Sequence, residues 1–246
     1  LVGVSSGAAL GAAVAIVGGS FFGGLPEWFG PYLLSACAFL GGLGVTALVY
    51  RLGRRNGQTN VATMLLAGIA LTALAGSAVG LFTYLADDAT LRTLTFWNLG
   101  SLNGASYARL WPLLIISAAV ALWLPRRAKA LNALLLGESE AGHLGIDVER
   151  LKRELVFCTA LGVGAAVAAA GMIGFVGLVV PHLVRLLAGP DHRVLLPASV
   201  LAGASLLLLA DLVARLALAP AELPIGIVTA FIGAPFFLYL LLRGRA

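Results

Sequence analysis

Residues 174–193 read GFVGLVVPHLVRLLAGPDHR, and this stretch decides how the chain can fold. Apolar residues run through it, but Pro181, His182 and Arg185 interrupt them. In lipid such residues are costly unless protein or a water-filled path surrounds them. The pattern predicts that protein or a water-filled path surrounds this part of a membrane helix. A kinked core helix with two satisfied polar groups is the simpler interpretation of this segment taken alone.

The composition of the whole chain is that of a membrane protein. Of 246 residues, 60% are hydrophobic and 11% are charged, and the mean hydropathy is +1.00. Soluble domains are about 45–50% apolar and about 25% charged. Because about 20 apolar residues cross a bilayer, the chain has room for about eight spans. Apolar windows predict these spans near 5–20, 30–50, 61–85, 108–125, 153–171, 173–188, 194–218 and 224–242.

Charged residues between the spans predict the orientation of the chain. On one side lie the basic residues Arg51, Arg54, Arg55, Arg126, Arg127, Lys129, Arg150, Lys152, Arg153, Arg193, Arg243 and Arg245. The opposite loops hold Glu27, Asp87, Asp88 and Glu222, with Arg92, Arg109 and Arg215 as their basic residues. The positive-inside rule therefore places the basic side and the C-terminus in the cytoplasm. The net charge of +5 is an orientation signal, and no nucleic-acid partner is expected.

The longest polar interruption, about residues 126–152, has the pattern of two short amphipathic helices separated by Gly137. A pair of this kind on the cytoplasmic side is suited to a groove on a soluble partner. The alternative is a pair that lies on lipid headgroups, which the acidic residues disfavour because anionic lipid repels them. The leucines are Leu131, Leu134, Leu135 and Leu136, and the second helix opens with Glu138, Ser139 and Glu140.

Several motifs occur together and in one order. They are GVSSGA at 3–8, LLAGIA at 65–70, LLGE at 135–138, the 174–193 stretch, LADLVAR at 209–215, ELPIGIVT at 222–229 and IGAPFF at 232–237. In this order they resemble the FecCD-type permease family of ATP-driven importers for vitamin B12, iron-siderophores and haem. The resemblance covers essentially the whole chain.

The resemblance implies an all-α, polytopic membrane protein with the ten-helix fold of type II ABC importer permeases. Residues 1–246 would form a single permease domain that holds the third to tenth helices and lacks the first two. The expected partners are a second copy of the chain, two ATP-binding cassette subunits, a periplasmic substrate-binding protein and the lipid bilayer of the bacterial inner membrane. The chain itself would bind no cofactor and no metal, since ATP and Mg²⁺ belong to the ATPase. That agrees with the absence of a Gly-x-x-x-x-Gly-Lys-Ser/Thr loop from the sequence.

The resemblance also implies roles for particular residues. The helices of 131–146 correspond to the coupling helices that dock on the ATPase, with Leu131, Leu134, Leu135, Leu136, Gly137, Glu138, Ser139 and Glu140 as their contacts. A cytoplasmic gate would be formed by Ser5, Ser6, Gln58, Thr59 and Asn60. Arg215, beside Glu222, corresponds to a basic position that pairs with carboxylates of the binding protein. The alternative for Arg215 is an arginine that snorkels to the membrane interface.

The cargo is predicted from residues 87–102, DDATLRTLTFWNLGSL, which most resemble the haem branch of the family. Haem has two propionates and a flat apolar ring. Arg92 suits carboxylates because a guanidinium pairs with them bidentately, and Phe96 and Trp97 offer apolar surface in the substrate pathway. An outer half-helix anchored at the interface by its aromatic residues is the alternative. Vitamin B12 or a ferric siderophore stays open as the cargo.

Two other classes of protein fit the sequence less well. In an ion-coupled secondary transporter, Asp211, His182 and Arg185 would form the intramembrane relay. Such a carrier has no obvious use for the polar segment at 126–152. An intramembrane enzyme is disfavoured because the sequence has no His-Glu-x-x-His or Gly-x-Ser-x-Gly motif, and Asp211 stands apart from other carboxylates.

Overall fold

The computed structural model describes residues 3–21, 30–55, 58–103, 105, 107–218 and 221–243. Within these ranges the chain is almost entirely helical. A short antiparallel hairpin pairs β1 (Arg54–Arg55) with β2 (Gln58–Thr59), and a 3₁₀ turn covers Leu124–Arg127. The α-helices are α1 (Val4–Phe21), α2 (Gly30–Gly53), α3 (Val61–Leu85), α4 (Asp88–Leu99), α5 (Tyr107–Trp123), α6 (Ala128–Leu134), α7 (Glu138–His143), α8 (Val148–Ala170), α9 (Val176–Ala188), α10 (His192–Leu216) and α11 (Ile225–Arg243).

The predicted spans correspond to eight apolar helices: α1, α2, α3, α5, α8, α9, α10 and α11. Five helical stretches of the described chain are long and apolar enough to cross a membrane, and three apolar helices are shorter. Helix α3 has the bounds expected from its apolar window. Helix α9 begins three residues later than expected, because Gly171 and Phe175 adopt φ angles of 72° and 65° that end one helix before the next begins. The expectation of an all-α, polytopic membrane fold is confirmed.

The chain divides into two compact units. The first comprises residues 1–98, 105–118 and 147–172, and the second comprises residues 99–104, 119–146 and 173–246. The expectation that 1–246 acts as a single permease domain stays a prediction.

The first unit is built on a close contact between α1 and α2. A Cβ atom at Gly7 would overlap the carbonyl oxygen of Gly41, and one at Gly11 would overlap that of Cys37. Small residues allow membrane helices to approach until their backbones touch. Ala8, Ala12 and Ala38 are fully buried at this contact, where Val167 of α8 joins them.

The second unit contains α9, α10 and α11. Phe175 is the non-glycine residue with positive φ in the described chain, and Gly233 of α11 leaves the space that its side chain occupies. Helix α9 buries Val179, Val180 and Val184, whereas His182 and Arg185 are exposed on this chain. The interpretation of α9 as a core helix with satisfied polar groups therefore does not fit these two side chains.

Candidate functional site

The first predicted gate segment lies at the start of α1. The Ser5 side chain is exposed. Ser6 is half-buried, and its Oγ donates to the carbonyl oxygen of Gly3 at 3.1 Å. The same Oγ lies 3.2 Å from Oγ1 of Thr72 on α3. The two serines thus differ, since Ser6 contacts its own unit and Ser5 faces outward.

The second predicted gate segment is the end of the β-hairpin. Gln58 is exposed and Thr59 is buried, with 7% exposure. Asn60 is exposed, and its Oδ1 caps α3 by accepting a hydrogen bond from the backbone N–H of Thr63 at 3.0 Å. Because capping uses this oxygen, Gln58 is the member of the segment whose side chain is most open to a partner.

Thr59 is held by the first turn of α8. Its backbone N–H and its hydroxyl both donate to Oε2 of Glu149, at 3.0 and 2.6 Å. Lys152 Nζ lies 3.4 Å from Oε1 of the same carboxylate and 3.4 Å from the carbonyl oxygen of Thr59. We call these three residues the Thr59–Glu149–Lys152 cluster. All three lie within one unit, although Thr59 is 90 residues from Glu149 in sequence.

The predicted coupling helices are present as α6 and α7, within an interhelical segment of residues 124–147. Leu131 and Leu134 are half-buried, whereas Leu135 and Leu136 follow the end of α6 and are 52% and 67% exposed. Gly137 separates the helices with φ 109°. Glu138, Ser139 and Glu140 are exposed. Leu135 and Leu136 therefore form the apolar surface of the segment, and the other two leucines pack inward.

Helix α6 is anchored to the start of α10 by Asn132. Its Nδ2 donates to Oδ1 of Asp191 at 2.7 Å, and its Oδ1 accepts from the backbone N–H of His192 at 2.9 Å. The same Oδ1 lies 2.8 Å from Nδ1 of His192. The backbone N–H of Arg193 and the Asn132 amide hold the pKa of the Asp191 carboxyl below its usual range. Asp191 therefore stays ionised at neutral pH and caps α10.

The predicted cargo residues lie on α4. Arg92 and Phe96 are both exposed, and Phe96 is 55% exposed. They are four residues apart, which places them on one face of the helix. Trp97 is half-buried against the core around Ala8 and Ala12, so its ring belongs to the packing of the first unit. At the N-terminal end of α4 the Thr90 hydroxyl lowers the pKa of Asp87.

Arg215, the predicted docking residue, is paired within its own helix. Its Nε donates to Oδ2 of Asp211 at 2.8 Å, and its side chain is 46% exposed. Glu222 is exposed and adds an attractive charge. A guanidinium has five N–H donors, so the pairing with Asp211 leaves donors for a further carboxylate. In the described chain no group of three His, Cys, Asp or Glu residues could hold a metal ion.

Sequence reasoning missed the residues that hold the site segments in place. The first group is Glu149 and Lys152, and the second is Asn132, Asp191 and His192. Asp211, the residue of the alternative ion relay, is paired with Arg215 instead, and a spacing of four is the usual sign of a helical ion pair. Asp191 precedes a helix, which is the usual sign of a cap. No local pattern marks Glu149, because its partner is distant in sequence.

Comparisons with known proteins identify the family of the chain. The FecCD transport family matches residues 1–243. The hemin transport system permease protein HmuU of Yersinia pestis is 45% identical over 251 residues, covering 100% of this chain and 72% of that protein. The vitamin B12 import system permease protein BtuC of Escherichia coli O9:H4 (strain HS) is 44% identical over 245 residues, again covering 100% and 72%.

A solved structure gives the same result for the fold. It is described as an inward-facing conformation of a metal-chelate type ABC transporter, and it matches with a TM-score of 0.87 and 36% identity. The match covers 98% of this chain and 74% of that one. The chain therefore belongs to the FecCD transport family and is a multi-pass inner-membrane permease of an ABC importer.

Proposed function

We propose that this permease moves haem from a periplasmic binding protein to the cytoplasm by alternating access. Two copies of the chain would surround one central pathway. ATP hydrolysis would take place on two separate ATP-binding cassette subunits, with Mg²⁺ bound there, while this chain carries out transport without chemistry of its own. Membership of an ABC importer family decides against the ion-coupled secondary transporter.

The observation that supports haem is the exposed face of α4. Arg92 presents a permanent positive charge one helical turn from the ring of Phe96. A planar cargo with carboxylates can pair with Arg92 and lie against the ring of Phe96. A pathway residue has to release its cargo, so a weak exposed ion pair suits this role better than an iron ligand. Trp97 supports the face from behind, because it is packed against the core.

We assign the gate to Ser5, Ser6, Gln58, Thr59 and Asn60, as the resemblance implies. The exposure of Ser5 and Gln58 makes these two side chains the ones that would meet the second copy. Ser6, Thr59 and Asn60 would hold them in place through their bonds to Gly3, Glu149 and Thr63. Small polar side chains can close a narrow pathway without a large barrier to opening.

We assign ATPase coupling to the turn that follows α6. Exposed Leu135 and Leu136 would enter a groove on the ATPase, with acidic Glu138 and Glu140 at its rim. The adjacent Leu131 and Leu134 would keep α6 in position, as would Gly137 and Ser139 at the turn. This assignment places the segment, and with it the C-terminus, on the cytoplasmic side.

We assign binding-protein docking to Arg215 and Glu222 on the periplasmic side. Arg215 is held by Asp211, which fixes the direction of its guanidinium. A carboxylate on the binding protein would add a second partner to the same group, and rim charges of this kind mainly govern the association rate and the register.

Vitamin B12 is the second candidate cargo. A vitamin B12 permease is 44% identical to this chain and a hemin permease is 45% identical, so overall similarity favours neither. Neutral corrin amides have less need of a positive partner than propionates do, and Arg92 is therefore the residue that separates the two proposals.

The test uses the permease purified with its ATPase and binding protein in proteoliposomes. We expect ATP-dependent uptake of haem, with little uptake of cobalamin or of a ferric siderophore. Arg92→Ala should slow haem uptake about twofold to fivefold, the effect of one exposed ion pair. Thr95→Val, an exposed change on the same helix, is the matched control. Preferential uptake of cobalamin would overturn the haem proposal and leave the importer class intact.

A separate substitution tests coupling. Replacing Leu135 and Leu136 by Asp places two charges in the docking surface and should abolish ATP-driven uptake by preventing ATPase assembly. Unchanged assembly and transport would show that the ATPase docks elsewhere.

A further inference from the structure

The Thr59–Glu149–Lys152 cluster joins two segments that the sequence separates. On one side is the β-hairpin that ends at Thr59, whose Gln58 is exposed. On the other is the first turn of α8, which follows the interhelical segment directly. Glu149 Oε2 accepts both the backbone N–H and the hydroxyl of Thr59, at 3.0 and 2.6 Å. Hydrogen bonds to an ionised acceptor are about twice as strong as neutral ones.

The cluster is partly shielded from solvent. Thr59 is 7% exposed, the Lys152 side chain 13% and the Glu149 side chain 34%. Lys152 Nζ completes the contact by reaching both the Glu149 carboxylate and the carbonyl oxygen of Thr59. The Lys152 ammonium is the less exposed of the two charges, and the Glu149 carboxylate offsets it. If the hairpin left α8, this carboxylate would lose both hydrogen bonds from Thr59.

Glu149 lies directly after the interhelical segment in the chain. Helix α7 ends at His143, and Asp147 caps α8 through the backbone N–H of Arg150 at 2.9 Å. Glu149 thus lies within the first turn after the segment to which we assign ATPase docking. The hairpin, in turn, contains Gln58, an exposed residue of the proposed gate. A displacement at the start of α8 would be carried to the hairpin by this carboxylate.

Free volume lies next to the cluster. A cavity of about 300 Å³ is lined by Thr59 and Lys152 together with Val49, Val61, Met64 and Leu155. Its wall is formed by α2, α3 and α8. A closely packed contact would resist displacement, and this space is large enough for a small shift of the hairpin.

We propose that Glu149 is a positioning residue that transmits ATPase-driven movement of the interhelical segment to the gate hairpin through Thr59. The proposal rests on the proposed coupling and gate assignments but does not depend on which cargo is carried. Glu149 acts through Thr59 and touches no cargo. Lys152 holds the carboxylate in the orientation that accepts both hydrogen bonds.

The first measurement reports hairpin movement without any cargo. Gln58→Cys in a Cys37→Ser, Cys158→Ser background is labelled with a water-soluble maleimide in the complex with its ATPase. Labelling rates are compared without nucleotide and with Mg-ATP and orthovanadate. We expect the two rates to differ about fivefold or more, the lower range of coupling between allosteric sites. Glu149→Ala should bring them together.

The second measurement is haem moved per ATP hydrolysed in proteoliposomes. Glu149→Ala and Thr59→Val should each lower this ratio about fivefold or more, and the double variant should be no worse than either single one. Thr59→Ser keeps the hydroxyl and should restore the wild-type ratio. Arg150→Gln removes an exposed ion pair with Glu154 on the same helix, and should leave the ratio unchanged.

The outcomes separate this proposal from the proposed cargo. Labelling at position 58 that does not respond to nucleotide in the parent complex overturns it, and so does a full response in Glu149→Ala. If Glu149→Ala does not assemble, the Thr59→Val and Thr59→Ser pair decides in the same way. A labelling response that depends on Glu149, in a complex that takes up no haem, supports the coupling role and overturns only the cargo.

Discussion

Glycine serves two different purposes in the two units of the chain. Between α1 and α2, Gly7, Gly11 and Gly41 bring backbone against backbone, and any Cβ there would overlap a carbonyl oxygen. On α11, Gly233 makes room for the side chain of Phe175 instead. A helical carbonyl oxygen is fixed within its helix and can give way only if the whole helix moves, whereas the segment 171–175 lies between two helices and can shift. Close packing is therefore rigid in the first case and adjustable in the second.

This difference bears on the gate. Ser5 and Ser6 lie at the start of α1, which its backbone contact fixes to α2. We expect α1 and α2 to move as one body, so that the gate at Ser5 opens by movement of the pair. The turn around Phe175 contacts α11 through the Phe175 side chain. The positive φ of Phe175 costs about 1–2 kcal/mol, because the residue has a Cβ atom. We expect this turn to adjust between transport states.

The largest effect is predicted for Gly11→Ala. The added methyl group would force α1 away from the carbonyl oxygen of Cys37, and overpacking of this kind costs about 1–3 kcal/mol, with a rigid backbone neighbour at the upper end. Gly18→Ala is the matched control, because nothing lies within 4 Å of a Cβ at that position on the same helix. It should stabilise the protein by about 0.5–1 kcal/mol through helix propensity.

The two variants are compared by unfolding the purified protein in SDS–detergent mixtures while the helix content is followed by circular dichroism. Equal stability of Gly11→Ala and Gly18→Ala would show that α1 and α2 can separate at little cost, and the distinction between rigid and adjustable contacts would be lost.

A smaller effect is predicted for Gly233→Ala. Its methyl group would overlap Phe175, whose turn can give way, so we expect a loss of about 1–2 kcal/mol. Phe175→Gly removes the overlapping atoms and also relieves the positive φ. In that background Gly233→Ala should be nearly neutral. A double-mutant cycle measured by thermal unfolding gives the coupling energy, and additive effects would mean that Phe175 is not the obstacle.

Much of the fold could be predicted from the sequence because lipid imposes a simple rule. Each span needs about 20 apolar residues, and eight windows correspond to eight helices, with α3 matching at both ends. The start of α9 was placed too early, because Phe175 is apolar and nothing in its side chain reveals a positive φ. Hydropathy indicates which residues lie in lipid, but it does not indicate a backbone turn within an apolar run.

The site was only partly predictable. Leu135 and Leu136 are exposed at the helix break that Gly137 predicts. This position could be predicted because a glycine next to the leucines is a local sequence signal. The sequence could not show that Trp97 packs inward and Phe96 does not, because both are aromatic residues and they are adjacent in the chain. Glu149 was missed because its partner, Thr59, is 90 residues away in sequence. Contacts between distant segments need the fold before they can be recognised.

The smallest effect is predicted for Gly164→Ala on α8. This variant tests whether a buried glycine can be replaced when its neighbour is a side chain instead of a backbone carbonyl. A Cβ there would lie 3.2 Å from Cδ2 of Phe39 and 3.4 Å from its Cε2. These are the outer atoms of a side chain that can swing by a few tenths of an ångström, although Gly164 is buried, as Gly7 of the α1–α2 contact is. The small steric cost should be offset by the gain of about 0.5–1 kcal/mol from replacing a helical glycine. We therefore expect the stability of Gly164→Ala to match that of wild type within about 0.5 kcal/mol in the same SDS unfolding assay. A loss as large as that of Gly11→Ala would mean that burial alone, rather than the nature of the neighbouring atoms, decides where a glycine is required.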